Sequence, residues 1–142
     1  MTTFRKRNLV LRKTLFVVFF VLIALSIVFA VWQSREWVVP EDAKILKNPL
    51  APTEAALASG RAVYLDKCTE CHGETGRGDG PQARMYDPAP GNLTDAHHMS
   101  TRTDGELFYQ ISEGHRPMPA FKKRLSEEQR WQLVMFVRSL AR

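Results

Sequence analysis

Between Asp66 and Glu106 the chain runs for 41 residues with Leu93 as its sole Leu, Ile, Val or Phe. Six of the eight glycines lie in the same stretch. Ordering one residue's backbone costs about 1–2 kcal/mol, and folding recovers that cost chiefly by burying apolar side chains. A segment so poor in them is either disordered or folded around something that is not protein.

The chain's two cysteines fall inside this segment, in the string Cys68-Thr69-Glu70-Cys71-His72. This is the C-x-x-C-H spacing of covalent haem c attachment. Two thiols three residues apart reach the two vinyl groups of one porphyrin, and the imidazole of the next residue meets the iron. The macrocycle then supplies the hydrophobic centre that the segment lacks. Other chemistries fit less well. Zinc wants four ligands and usually a second Cys or His pair, to which His97-His98 could contribute, and a thioredoxin-like dithiol belongs in a βαβ context. A local disulfide is the remaining use of the pair, and two cysteines exclude a scaffold of several bridges. The glycine run after His72 lacks the Gly-Lys-Ser/Thr ending of a phosphate loop, and no strand precedes it.

For a sixth iron ligand the sequence offers Met85, His97, His98, Met99, His115 and Met118. Met118 stands between Pro117 and Pro119. Flanking prolines hold a backbone extended and stiff, the geometry that pushes one side chain inward from a loop, so Met118 is the expected ligand. His97 and His98 read as solvated loop residues, and His115 as lining the haem edge or facing water. Lys122, Lys123, Arg124 and Arg130 form either a docking patch or an ordinary solvated surface.

Charge and hydropathy divide the chain sharply near residue 35. Of the 19 residues from Thr14 to Trp32, 17 are apolar, and from Thr14 to Ser34 there is no charge. As a helix that run spans ~30 Å, one bilayer core. Arg5, Lys6, Arg7, Arg12 and Lys13 precede it, while Arg35 and Glu36 cancel just after it. That bias keeps the N-terminus in the cytoplasm and puts the haem domain on the periplasmic or outer face. A cleaved signal peptide is the alternative. Its apolar region is shorter, and a small-x-small site follows it, which this run lacks. Beyond Arg35 the chain has 14 basic and 15 acidic residues, so the pI near 9.5 belongs to the tail and argues for no nucleic-acid partner.

The expected organisation is a basic cytoplasmic tail (1–13), a transmembrane anchor (14–34), a linker (35–53) and a monohaem domain (54–142). Pro40, Pro49 and Pro52 mark the linker, with one helical turn around Glu41 to Leu46. Thr53 caps a helix over Glu54 to Asp66, with Leu57, Gly60 and Tyr64 on one stripe. Gly60 in mid-helix costs about 1 kcal/mol relative to Ala, which a close helix crossing would explain. Thr103-Asp104-Gly105-Glu106 and Ser126-Glu127-Glu128-Gln129 have capping-box form. The first opens a short helix that stops at Gly114. The second opens one with Leu133, Phe136, Val137 and Leu140 on a single face. No alternation marks a strand, so the domain reads as all-α with long loops.

Together these residues resemble a class I c-type cytochrome of the small bacterial membrane-anchored kind. The likeness runs from about Asn48 to Leu140. It rests on Gly60 with Tyr64, the C-x-x-C-H string, Gly76-Arg77-Gly78-Asp79-Gly80-Pro81, Asn92-Leu93-Thr94-Asp95, Met118-Pro119-Ala120-Phe121 and the closing helix around Trp131 and Phe136-Val137-Arg138. The resemblance implies cytochrome c-like helices and long loops wrapped around one covalent haem c, with the first and last helices crossing near Gly60 and iron ligation by His72 and Met118. It also implies that the Pro81 carbonyl accepts a hydrogen bond from the second imidazole nitrogen of His72, although Pro88 and Pro90 are rivals for that role and Gly80-Pro81 also reads as an ordinary turn.

With both axial positions filled by protein, no open site is left for a substrate, and a thioether ligand raises the reduction potential. The expected function is single-electron transfer by a membrane-tethered cytochrome, alone or as a subunit of a respiratory, photosynthetic or dehydrogenase complex, without enzymatic activity of its own. Its partners would be redox proteins, either membrane oxidoreductases or soluble carriers, and the membrane through 14–34, with no freely bound organic substrate. The alternatives are a haem enzyme or gas sensor in which Met118 dissociates to admit a small ligand, and a structural haem subunit that helps assemble an oxidase.

Overall fold

The structure, a computed structural model, describes residues 2–33 and 38–141, with the side chains of 12–29 and 38–141 among them. It falls into two units that divide between Val38 and Val39.

The first unit contains one continuous helix, α1 (Thr2–Gln33). Its window Arg12–Phe29 has a mean hydropathy of 2.2 and is long and apolar enough to cross a membrane. None of that window is buried against protein, and Phe16 and Val28 stand well exposed. The side chains of Arg5, Lys6 and Arg7 lie outside the described residues, as do Ser34, Arg35 and Glu36, where the uncharged run ends.

The second unit contains α2 (Glu41–Lys44), α3 (Glu54–Lys67), α4 (Thr69–His72), a 3-10 turn (Ala83–Met85), α5 (Ala96–Ser100), α6 (Asp104–Glu113) and α7 (Glu127–Leu140). Among the described residues there is no strand, only an isolated bridge between His115 and Met118. The long helices begin where their side chains replace missing backbone acceptors. Thr53 Oγ1 accepts from Ala56 N at 3.1 Å. Thr103 and Ser126 each close a full capping box, with Glu106 and Gln129.

α3 and α7 cross at Gly60. A Cβ there would meet the carbonyl carbon of Gln132 at 2.6 Å and Phe136 Cβ at 3.1 Å, so the two backbones touch only because no side chain intervenes. One turn along α3, the fully buried Tyr64 packs its ring against Phe136, with centroids 5.1 Å apart. α6 completes the core through Leu107 and Ile111, and Phe108 stacks on Trp131 at 4.0 Å. Arg130 lies over the Phe108 ring, 4.6 Å from its centroid, and donates to Ser112 Oγ. At 7% exposure this arginine belongs to the α6/α7 contact and is removed from any docking patch, whereas Lys122, Lys123 and Arg124 are exposed.

Two segments are more ordered than their composition indicated. Residues 39–53 read as a spacer, yet Val39 and Ala43 are buried and Asn48 Nδ2 donates to the Trp131 carbonyl at 3.0 Å. The compact unit therefore starts at Val39 rather than Glu54. The stretch from 66 to 106 is folded by backbone bonds in place of apolar burial. Arg138 holds its far end, with Nε on Asp104 Oδ1 at 2.7 Å, Nη1 on Met99 O at 2.6 Å and Nη2 on Arg102 O.

Candidate haem site

The Cys68-to-His72 string is a single helical turn. Cys68 N donates to Tyr64 O at 2.9 Å as the end of α3, and its own carbonyl accepts from His72 N at 2.8 Å as the start of α4. α4 thus continues from α3, the helix fixed against α7. Gly73 ends it at φ +75°, a left-handed conformation that a side chain disfavours.

From that glycine the chain folds back along the turn that it has just left. Gly78 N donates to His72 O at 2.9 Å, Gly80 N to Cys71 O at 3.2 Å and Gln82 N to Glu70 O at 2.8 Å. Leu93 N then donates to Gly76 O at 2.7 Å and brings the 90–93 stretch alongside. Its result is the contact between His72 Nδ1 and the Gly91 carbonyl, at 3.3 Å.

Pro81, expected at the His72 ring, is placed elsewhere. The Gly80 and Gln82 bonds hold Pro81 exposed on the Glu70 side of α4, while Gly91, brought in by Leu93, supplies the carbonyl to His72. A Gly-Pro pair and a Pro-Gly pair are equally good turns, so local sequence did not separate Pro81 from Gly91. Asn92-Leu93, adjacent to Gly91, was the usable signal.

A carbonyl oxygen can only accept, so the Nδ1 that faces Gly91 carries the proton and Nε2 keeps its lone pair. Burial lowers the His72 pKa, opposed by this hydrogen bond, and favours the neutral ring that a metal needs. Burial also pushes the Cys68 thiol up to about 12, helped by Cys71 and Asp66, and raises Cys71 with help from Glu70. Both cysteines are unpaired, half-buried, neutral thiols. Their spacing suits thioether formation with the two vinyl groups of one porphyrin. Among the described residues no three His, Cys, Asp or Glu side chains are grouped to hold a metal ion.

Met118 lies on a loop fastened at both ends to the last turn of α6. Gly114 N donates to Gln110 O at 3.0 Å, and beyond the loop Phe121 N reaches Ile111 O at 3.1 Å and Lys122 N reaches Ser112 O at 3.0 Å. Inside it, His115 and Met118 exchange backbone bonds of 3.0 and 2.7 Å. Met118 is half-buried and packs against the same core cluster as Cys68 and Leu93. The rival ligands are placed otherwise. Met99 is buried in that cluster at 2% exposure, Met85 is 75% exposed, and His97 and His98 are exposed on α5. The donor set therefore fits a haem c: two neutral thiols, one tautomerically fixed imidazole, and one thioether on the rim of the same core.

The sequence matches the family described as cytochrome c oxidase, cbb3-type, subunit III, over residues 55–137. Two curated relatives are the cbb3-type cytochrome c oxidase subunit FixPc of Rhizobium leguminosarum bv. viciae and subunit FixP of Rhizobium etli. Each is 33% identical over 91 residues, which make up 63% of this chain and 30% of the relative. The chain thus spans less than a third of their length. Among solved structures it is similar to a chain of the Kuenenia stuttgartiensis reducing HAO-like protein complex Kustc0457/Kustc0458. That likeness has a TM-score of 0.58 and 31% identity over 78% of this chain and 54% of the other. It is also similar to the KustC0563 c-type cytochrome, with a TM-score of 0.53 and 28% identity over 58% of this chain and 98% of that one.

Proposed function

Because this chain belongs to the cbb3-type cytochrome c oxidase subunit III family, and is thereby a c-type cytochrome with one covalent haem c, we propose that it is a membrane-tethered carrier of single electrons within a redox complex. Cys68 and Cys71 would form the two thioethers, and His72 and Met118 would hold the iron. Bound in this way, the haem supplies reversible one-electron chemistry at its iron.

The observation that carries this reading is the His72 Nδ1 contact with the Gly91 carbonyl, which fixes the ring and leaves Nε2 as the free donor. Gly91, and not Pro81, holds that ring. Met118 would hold the iron from a loop that α6 fastens at both ends, so the same two side chains would serve both oxidation states with little rearrangement. Such a site has no place for a substrate, which favours electron transfer over the enzyme or sensor reading.

α1 is the anchor, with the N-terminus cytoplasmic and the haem domain on the periplasmic or outer face, from the excess of cations before the apolar run. Tethering raises the effective concentration of the haem domain near other membrane proteins toward the millimolar range, so weak docking to a redox partner is sufficient. The FixP-type relatives are oxidase subunits by name, and an oxidase-like complex is the natural setting for this chain.

The test is carbon monoxide binding to the reduced full-length protein at neutral pH, together with the mass of the denatured chain. The reading expects one haem added to the mass and no spectral response to carbon monoxide. Ready binding would instead select the sensor or enzyme.

A further inference from the structure

Tyr64 carries a group that its packing role does not need. It sits where α7 crosses α3, it is fully buried, and its ring lies against Phe136. A phenylalanine would fill that space equally well. A hydroxyl in such a place is costly unless a partner receives it. Burial raises its pKa, so the group remains a neutral donor.

Its acceptor is the Gly73 carbonyl, at 2.7 Å. Gly73 immediately follows His72, and the same carbonyl also accepts from Gly76 N at 3.2 Å. On the other side of the Gly73 α-carbon, Gly73 N donates to Thr69 O at 2.9 Å and His72 O accepts from Gly78 N at 2.9 Å. Both peptides flanking Gly73 are therefore fixed, although a glycine at φ +75° has little torsional stiffness of its own. The Tyr64 bond is the shorter of the two on that carbonyl, and it is the one that reaches the helix crossing. By comparison, the bond that sets the imidazole, from Nδ1 to Gly91, is long at 3.3 Å and depends on the backbone beneath it.

We propose that Tyr64 is a positioning residue for His72: its hydroxyl fixes the Gly73 carbonyl to the α3/α7 crossing, and so holds the backbone on which the His72–Gly91 hydrogen bond depends. This rests on His72 being the axial ligand. Losing the hydroxyl loosens the backbone after His72 and weakens the Nδ1 bond. The imidazole becomes less basic and favours the oxidised iron less, so the reduction potential rises.

The experiment compares Tyr64→Phe with Phe136→Leu in the full-length haem-loaded protein. Phe136→Leu loosens the same crossing and leaves the hydroxyl in place. Tyr64→Phe is expected to speed solvent exchange of the His72 Nδ1 proton about tenfold, the effect of one net hydrogen bond, and to raise the midpoint potential. Phe136→Leu should lower thermal stability while leaving both close to the parent. Unchanged Nδ1 exchange in Tyr64→Phe, or equal changes in the two variants, would overturn the positioning role. If Tyr64→Phe does not load haem, the parent decides. A slowly exchanging Tyr64 hydroxyl proton whose NMR shift differs between oxidised and reduced protein supports the role, and a freely exchanging or redox-blind one refutes it. A parent in which no axial histidine resonance belongs to His72 would instead overturn the ligand assignment on which the inference rests.

Discussion

Replacing Gly60 by alanine sets two effects of known sign against each other. In an exposed helix interior the change stabilises by about 1 kcal/mol, because alanine is the better helix former. At this crossing the new Cβ would lie 2.6 Å from the Gln132 carbonyl carbon and 3.1 Å from Phe136 Cβ. Carbon atoms in ordinary contact stand ~3.5–4.0 Å apart, so α3 and α7 must part by roughly 1 Å. The nearer obstacle is main chain, which cannot turn aside as a flexible side chain would. Overpacking of this kind costs about 1–3 kcal/mol, and parting the helices also thins the Tyr64–Phe136 contact, so the upper half of that range applies. Setting the propensity gain against it leaves a net loss of about 1–2 kcal/mol. For a unit of about 100 residues, that lowers the Tm by roughly 5–15 °C. The assay is thermal unfolding of the haem-loaded protein followed by far-ultraviolet circular dichroism. Gly91→Ala is the control, since nothing lies within 4 Å of a Cβ at that position. An unchanged or higher Tm in Gly60→Ala would mean that propensity alone acts there and that the helices do not cross as closely as described.

Three further outcomes follow from the same contacts. Cys71→Ser should leave at most the Cys68 thioether and lower the share of chains carrying haem, read from the mass of the denatured protein, and limited proteolysis should cut the haem-free chains within 66–106. Arg138→Gln should cost about 1–3 kcal/mol, because the guanidinium joins Asp104 and two carbonyls while only partly exposed, and hydrogen exchange should rise first between Met99 and Asp104. A soluble fragment starting at Val38 should keep full stability. One starting at Asn48 should lose about 1–3 kcal/mol by chemical denaturation, since it lacks the buried Val39 and Ala43.

What the sequence made legible were features with a fixed spacing. The capping residues Thr53, Thr103 and Ser126 and the helix stop at Gly114 lie where local pattern puts them, because each depends on neighbours within one helical turn, while Gly60 was marked by the cost of a glycine in mid-helix although its partner is the distant α7. The haem string is local for the same reason. Long-range partners left no such trace. Val39 and Ala43 are single apolar residues among prolines, without a period to mark them as buried. Arg130 looks like part of a solvated charge run, and only its stacking on Phe108 from another helix removes it from the surface. Gly91 reaches His72 across 19 positions through a backbone carbonyl, which every residue possesses, so side-chain identity could not single it out.

The central claim is that His72 and Met118 together hold the haem iron of a one-electron carrier. The far-red absorption spectrum of the oxidised full-length protein tests it most directly, because a thioether on ferric iron gives a weak sulfur-to-iron band there and a bis-histidine or open site does not. The account predicts that band in the parent and its loss in Met118→Ala, with the reduced variant then binding carbon monoxide. A parent without the band, or a Met118→Ala spectrum that still contains it, would contradict the ligand pair and the function built on it.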